Sequence, residues 1–154
     1  MDGLIQRIRD YALSQREIYH QSWLGDLWKQ SVIYESASQY ISRGWDEVLR
    51  TLDWVETALR KGDFESDPCL ATGAGWIAEE AFATALYCFL MFPDDAPAVI
   101  RRAACSSGDS DSIACIAGSF VGAYLGAGCW DTEWIERVEY REEIETLAAW
   151  LNSP

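Results

Sequence analysis

The sequence is poor in basic residues and in potential nitrogen ligands. Its 154 residues contain 12 lysines and arginines against 25 aspartates and glutamates, and the formal net charge is −13. Phosphate backbones are bound by clustered basic side chains, so this balance argues against nucleic acid as a partner. The charge is compatible with metal cations, although it does not demonstrate that the protein binds one.

Cysteine motifs and a leader sequence are also lacking. The five cysteines form no CxxC pair and no metal-ligand spacing with His20, the only histidine. An odd number of cysteines beside apolar neighbours predicts buried thiols in a reducing compartment. Charged residues interrupt the apolar positions of the opening "MDGLIQRIRDYALSQREIY", which is atypical of a signal peptide. These features predict a cytoplasmic protein.

No alternating run is long enough to predict a β-sheet, whereas helical periodicity is found nearly everywhere. Apolar residues recur at spacings of three and four over 4–18 and 48–59, and Gly62 suits the end of the second helix. Further helices are predicted at 76–92, at 98–105, from Ile113 onward and over 133–151, with 22–42 partly helical. The last helix is expected to point Trp134, Ile135, Val138, Leu147, Ala148 and Leu151 inward. We therefore expect one all-α domain over 1–154, a compact multi-helix orthogonal bundle.

The segment "SSGDSDSIACIAGSFVGAYLGAG" joins two aspartates to an uncharged run of small residues. One interpretation is a membrane span, but the run only just reaches the necessary length and lacks basic anchors, so no membrane association is predicted. A second interpretation is a core helix. Ala114, Gly118, Gly122 and Gly126 form a stripe that would let another helix approach closely. Glycine inside a helix costs about 1 kcal/mol relative to alanine, which suggests that such a contact is required.

A third interpretation adds a site to that core helix. Residues i and i+2 of a helix lie roughly 200° apart, so Asp109 and Asp111 converge only if the helix starts between them. Alternatively, one of the two aspartates is simply the N-cap. A glycosidase acid/base pair is a poorer explanation, because nothing in the sequence separates the two pKa values. With the hydroxyl of Ser112 alongside, the cluster is more typical of a Mg²⁺ site.

These motifs resemble the ADP-ribosylglycohydrolase family, which includes dinitrogenase reductase-activating glycohydrolase. Family members carry Gly-Asp-x-Asp-Thr/Ser, Ile-Ala-x-Ile-Ala-Gly and Gly-Ala-Tyr-x-Gly, and this chain has "GDSDSIACIAGSFVGAYLG". "TGAGWIAEEAFATALYCFLMFPDD" and "WIERVEYREEIETLAAWL" resemble two further family segments. The resemblance is strongest over 72–151 and implies the C-terminal half of the family's all-α fold.

The resemblance also implies site residues. Asp109, Asp111 and Ser112 match the family's metal ligands, although threonine is commoner at the last position. Gly73, Gly75 and Trp76 match a loop that lines the ADP-ribose pocket. Glycines there would let backbone N–H groups approach phosphate, and the tryptophan would offer a stacking face. The alternative is a glycine turn with the tryptophan packed in the core.

The family's N-terminal half has no counterpart in this sequence. In family members, that N-terminal half carries a Ser/Thr-Asp-Asp-Thr segment that completes a two-metal site. The resemblance therefore implies a Mg²⁺-dependent hydrolase that releases ADP-ribose from a modified protein or small molecule once a separate N-terminal-half polypeptide joins it. The alternative is a catalytically inactive remnant that binds ADP-ribose, another nucleotide or a protein partner.

Overall fold

The computed structural model describes residues 3–151, and this part of the chain is helical without a β-strand. The α-helices are α1 Leu4–Gln15, α2 Gln21–Leu24, α3 Ala37–Lys61, α4 Cys69–Thr72, α5 Ala78–Met91, α6 Ala96–Ala104, α7 Ser110–Leu125, α8 Thr132–Arg137 and α9 Arg141–Leu151. Short 3-10 turns occupy Leu27–Gln30 and Ala127–Cys129. The all-α prediction is confirmed, as is the partly helical character of 22–42.

The core forms around α5, which packs against α3, α6 and α7. Its buried residues lie on nearly all sides of the helix, and they are Ala81, Ala83, Thr84, Ala85, Leu86, Tyr87, Cys88 and Phe89. A large apolar side chain that is fully buried contributes about 1.5–3 kcal/mol, so this helix is the main source of hydrophobic stabilisation. Its N-terminus and that of α7 lie beside the candidate site.

The long helix α3 begins and ends at residues suited to those positions. The Ser36 hydroxyl oxygen accepts a hydrogen bond from the backbone N–H of Gln39 at 3.1 Å, which satisfies one of the free donors of the first turn. At the other end Gly62 has φ 63°, and its N–H donates to the carbonyls of Ala58 and Leu59. The predicted helix end at Gly62 is therefore confirmed.

Helix α7 starts at Ser110, three residues before the predicted position, and buries a narrow face of Ile113, Ala117 and Val121. It ends before Gly126, whose φ of 78° breaks the helix inside the uncharged run. No helix of the described residues is long and apolar enough to cross a membrane.

The stripe of small residues divides into a packed part and an open part. A Cβ at Gly118 would lie 3.2 Å from the Ile100 side chain of α6, so close approach is needed there. A Cβ at Gly122 would meet nothing within 4 Å. Gly126 lies beyond the helix end, so the stripe does not extend over the full predicted length.

The prediction of one closing helix with an inward face is wrong. The chain breaks between α8 and α9, where Val138 is extended and Tyr140 has φ 55°. Of the residues predicted to point inward, Ile135 is partly buried, whereas Trp134, Val138, Leu147, Ala148 and Leu151 are exposed. Their apolar periodicity is real, but the face that they form stays largely exposed within residues 3–151.

The prediction that the cysteines are buried is correct only for Cys88. Cys69 and Cys129 are partly buried, and Cys105 and Cys115 are exposed. All five thiols are free.

Candidate functional site

The two aspartates lie where the chain enters α7. Asp109 occupies the N-cap position with a non-helical backbone, but its side chain makes no capping hydrogen bond. Asp111 lies in the first turn of the helix and is exposed, and Ser112 follows it, partly buried. The carboxylate of Asp109 is therefore not used as an ordinary helix cap, which was the alternative explanation of this motif.

The Asp109 and Asp111 side chains converge, as the site interpretation requires. The Asp109 and Asp111 carboxyl groups lie close enough to interact, and the N–H groups of Asp111 and Ser112 bond to the Asp111 carboxylate. These contacts hold the pKa of Asp111 below its usual value. Two neighbouring carboxyl groups at a helix N-terminus are oxygen ligands suited to a cation.

The glycine-rich loop and the aspartate turn are joined directly. The backbone N–H of Asp109 donates to the Ala74 carbonyl at 2.8 Å. Gly108 packs so tightly on Ala74 that an added Cβ would lie 2.6 Å from the Ala74 carbonyl carbon. The structure thus brings together two segments that are more than thirty residues apart in the sequence.

Gly73 and Gly75 are needed for close packing and for their positive φ values of 103° and 79°. A Cβ at Gly73 would overlap the side chain of Glu80, and one at Gly75 would overlap that of Ile113. Their N–H groups already have protein partners. That of Gly73 donates to the Cys69 carbonyl at 3.1 Å, and that of Gly75 donates to Oε2 of Glu80 at 3.2 Å.

Trp76 is 72% exposed, which rules out the alternative that it packs in the core. It stands at the entrance to α5, next to the joined loop and turn, with Ile77 exposed beside it. A large aromatic face left in solvent is available for stacking against a planar ligand.

Several residues that shape the loop were not predicted from the sequence. The buried hydroxyl of Thr84 donates to the Gly73 carbonyl at 2.9 Å and lies 2.8 Å from the Thr72 hydroxyl. A threonine among the buried apolar residues of α5 was the available signal, because a buried hydroxyl needs a partner. The glycine before the two aspartates was a second signal, now explained by Ala74.

The side-chain oxygen atoms of this cluster are suited to fill one side of the coordination sphere of a hard cation. Asp109, Asp111 and Ser112 offer carboxylate and hydroxyl oxygens, which are the ligand types that Mg²⁺ prefers. Among residues 3–151, however, no group of three or more histidine, cysteine, aspartate or glutamate side chains is placed to hold a metal. The described residues alone therefore do not enclose an ion.

Comparison with known proteins finds longer proteins that are similar to this chain over part of their length. The human and bovine proteins named ADP-ribosylhydrolase ARH3 are each 34% identical over 90 residues, which is 52% of this chain and 25% of theirs. The mouse protein of the same name is equally similar over 24% of its length. The matched region thus spans about a quarter of these relatives. No solved structure matched the chain.

The family model for ADP-ribosylglycohydrolase matches residues 7–153, which is nearly the whole sequence. The match includes the aspartate turn, the glycine-rich loop and the helices that join them. On this match the chain belongs to the ADP-ribosylglycohydrolase family.

Proposed function

We propose that this chain contributes one side of the active site of a Mg²⁺-dependent ADP-ribosyl glycohydrolase. The substrate would be an ADP-ribosylated protein or small molecule, cleaved at the glycosidic bond to ADP-ribose. The observation that carries the proposal is the direct junction between the Asp109 turn and the loop at Ala74. It brings the proposed cation ligands close to the segment that resembles the family's ADP-ribose pocket.

Asp109, Asp111 and Ser112 are the residues that would hold Mg²⁺. The Asp109 carboxylate makes no capping bond and lies close to that of Asp111, and both observations support this role. A bound Mg²⁺ would supply Lewis acidity and orient water and substrate oxygens. The protein's own contribution is to bring the two carboxyl groups together at the start of α7.

The loop around Gly73, Gly75 and Trp76 would bind the ADP-ribose part. Trp76 offers an exposed face for stacking. The N–H of Gly75 is bonded to Glu80, so a phosphate group would have to replace that carboxylate to reach it. The glycines hold the loop against α5 and α7, and the exposed Trp76 follows directly after Gly75.

The site is incomplete within the described residues, so we further propose that an N-terminal half completes it. That half lies outside these 154 residues, and by family resemblance it would carry a Ser/Thr-Asp-Asp-Thr segment. Asp109, Asp111 and Ser112 supply at most three side-chain ligands, fewer than the near-octahedral sphere of Mg²⁺ needs. A two-metal clamp needs ligands from both sides of the substrate.

The proposal is tested by reconstitution. The chain is mixed with a separately expressed N-terminal half, and release of ADP-ribose from an ADP-ribosylated protein is followed with and without Mg²⁺. We expect activity only with both halves and the metal. Asp111→Asn should leave assembly intact and lower the rate at least about a hundredfold, the usual scale for loss of an electrostatic catalytic group. Asp94→Asn, an exposed aspartate away from the site, is the matched control.

Two results would contradict the proposal. Turnover by the chain alone would show that no complementing half is needed. Assembly that binds ADP-ribose without cleaving any substrate would favour the binding-module alternative instead.

A further inference from the structure

Asp67 connects the loop that precedes α4 to the turn that precedes α7. It is partly buried, and its Oδ1 accepts a hydrogen bond from the Cys69 N–H at 3.0 Å. Its Oδ2 accepts one from the backbone N–H of Ser107 at 3.2 Å, forty residues along the chain. Burial raises the pKa of Asp67, but hydrogen bonds from the Ser107 hydroxyl and from both N–H groups outweigh it and lower the pKa overall.

The loop that carries Asp67 is itself fixed to the core. The Arg102 guanidinium of α6 donates to the carbonyls of Phe64 at 2.7 Å, Ser66 at 2.8 Å and Asp63 at 3.2 Å. The buried Tyr87 hydroxyl also donates to the Asp63 carbonyl. The carboxylate of Asp67 therefore accepts the Ser107 N–H from a loop that Arg102 and Tyr87 hold against the core.

Ser107 lies two residues before Asp109, and Gly108 between them packs on Ala74. The turn is thus anchored on both sides of Gly108: Ser107 by Asp67, and Asp109 by the Ala74 carbonyl. Loss of either anchor would leave the turn free to rotate. The Asp109 carboxylate, which has no capping bond of its own, would move with it.

We propose that Asp67 is a positioning residue of the metal site: its carboxylate fixes Ser107 and thereby aims Asp109 and Asp111 at a common cation. The proposal rests on the proposed function, because it takes these two aspartates as the cation ligands. Asp67 itself does not contact the ion.

A purely structural role must be distinguished, because the Asp67 carboxylate also accepts a hydrogen bond from the Cys69 N–H at the start of α4. Asp67→Asn separates the two roles. Asparagine retains one oxygen for the Cys69 N–H, but its NH₂ group cannot accept from Ser107. Asp95→Asn is the matched control, since Asp95 caps α6 through the Ala98 N–H at 3.0 Å and contacts neither segment of the site.

Two measurements on the full chain form the test: amide hydrogen exchange at Asp109 and Mn²⁺ affinity from paramagnetic broadening. For Asp67→Asn we expect exchange at Asp109 to quicken, and Mn²⁺ affinity to fall, by about tenfold each, the effect of losing a hydrogen bond to a charged group. Asp95→Asn should change neither. Both measurements are made in 0.15 M salt, because at that ionic strength the direct electrostatic effect of removing the Asp67 charge is largely screened beyond about 8 Å.

Unchanged exchange at Asp109 in Asp67→Asn would overturn the proposal. So would faster exchange with wild-type Mn²⁺ affinity, which would leave Asp67 a structural role only. If Asp67→Asn fails to fold, Ser107→Ala removes the hydroxyl donor and keeps the Asp67 charge, and it should shift both readouts in the same direction by less. Failure of the unaltered chain to bind Mn²⁺ both alone and together with the N-terminal half would count against the proposed function, while exchange at Asp109 would still decide whether Asp67 holds the turn.

Discussion

Gly108 illustrates how a single residue without a side chain holds the site together. Its Cα lies against the Ala74 carbonyl, and the next residue donates its N–H to the same oxygen. Any side chain at this position would push the aspartate turn away from the glycine-rich loop. The glycine is therefore required by contact, and its φ is not one of the positive values found at Gly73 and Gly75.

We predict that Gly108→Ala destabilises the protein by about 1–3 kcal/mol or more, because the methyl group would overlap backbone that cannot move independently. Gly122→Ala is the control, since its Cβ would meet nothing within 4 Å on a helical backbone. It should instead stabilise the fold by up to about 1 kcal/mol. Urea denaturation of both variants measures the difference. Equal stability of the two would contradict the close contact at Ala74.

At this scale the sequence indicated the turn at the start of α7 but not the residues that hold it in place. The order of residues in "GDSDS" pointed to Asp109, Asp111 and Ser112 as candidate ligands, and the need for a helix start between the aspartates followed from helix geometry. The partners Ala74 and Asp67 could not be predicted. Their contacts are long-range hydrogen bonds from the backbone N–H groups of Asp109 and Ser107, which leave no mark in local composition.

Among the helices, α5 has the most buried residues, and one of them is the thiol of Cys88. Cys88 lies fully enclosed in the core cluster. Burial raises the pKa of its thiol to about 12, and nearby Arg102 only partly offsets the effect. The thiol of the unfolded chain ionises near its ordinary value of 9.0, whereas the folded one stays neutral.

The consequence is a loss of stability at alkaline pH. A raised pKa in the folded state gives stability that is complete below pH 9 and is lost as the pH rises toward 12. We predict that the free energy of unfolding falls by up to about 1.4 kcal/mol per pH unit in this range because of Cys88. Cys88→Ala should show a shallower slope, and Cys115→Ala, which removes an exposed thiol, should keep the wild-type slope. Equal slopes in all three proteins would disprove the assignment.

Helix positions were predictable where burial and end signals agreed. Gly62 marked the end of α3, and the apolar density of α5 marked the central helix. The C-terminal helices were not predictable in the same way, because their apolar residues follow helical spacing without being buried. Apolar residues at helical spacing indicate that one face of a helix is suited to burial, but they do not indicate whether another element packs on that face.

At the scale of the whole molecule, α7 is packed against α6 near Gly118 and has no close neighbour among the described residues near Gly122. Gly118 faces α6 and meets the Ile100 side chain, so its lack of a side chain serves the fold of this chain. Gly122, one turn further, faces no atom of the described residues within 4 Å of its Cβ position. Tyr124 and Leu125 are exposed at the same end of the helix. The open end of α7 is consistent with a contact made outside these residues.

We predict that Gly122→Leu blocks assembly with the N-terminal half while this chain remains folded. A leucine there would overpack a close helix contact in the complex, at a cost of about 1–3 kcal/mol or more, but it has free space in the chain alone. Gly118→Leu should differ, because it would collide with Ile100 and lower the stability of the chain itself. Circular dichroism and thermal melting report the fold, and sedimentation velocity of the mixed halves reports assembly. If Gly122→Leu assembles as well as the wild type, the open end of α7 is not the contact surface.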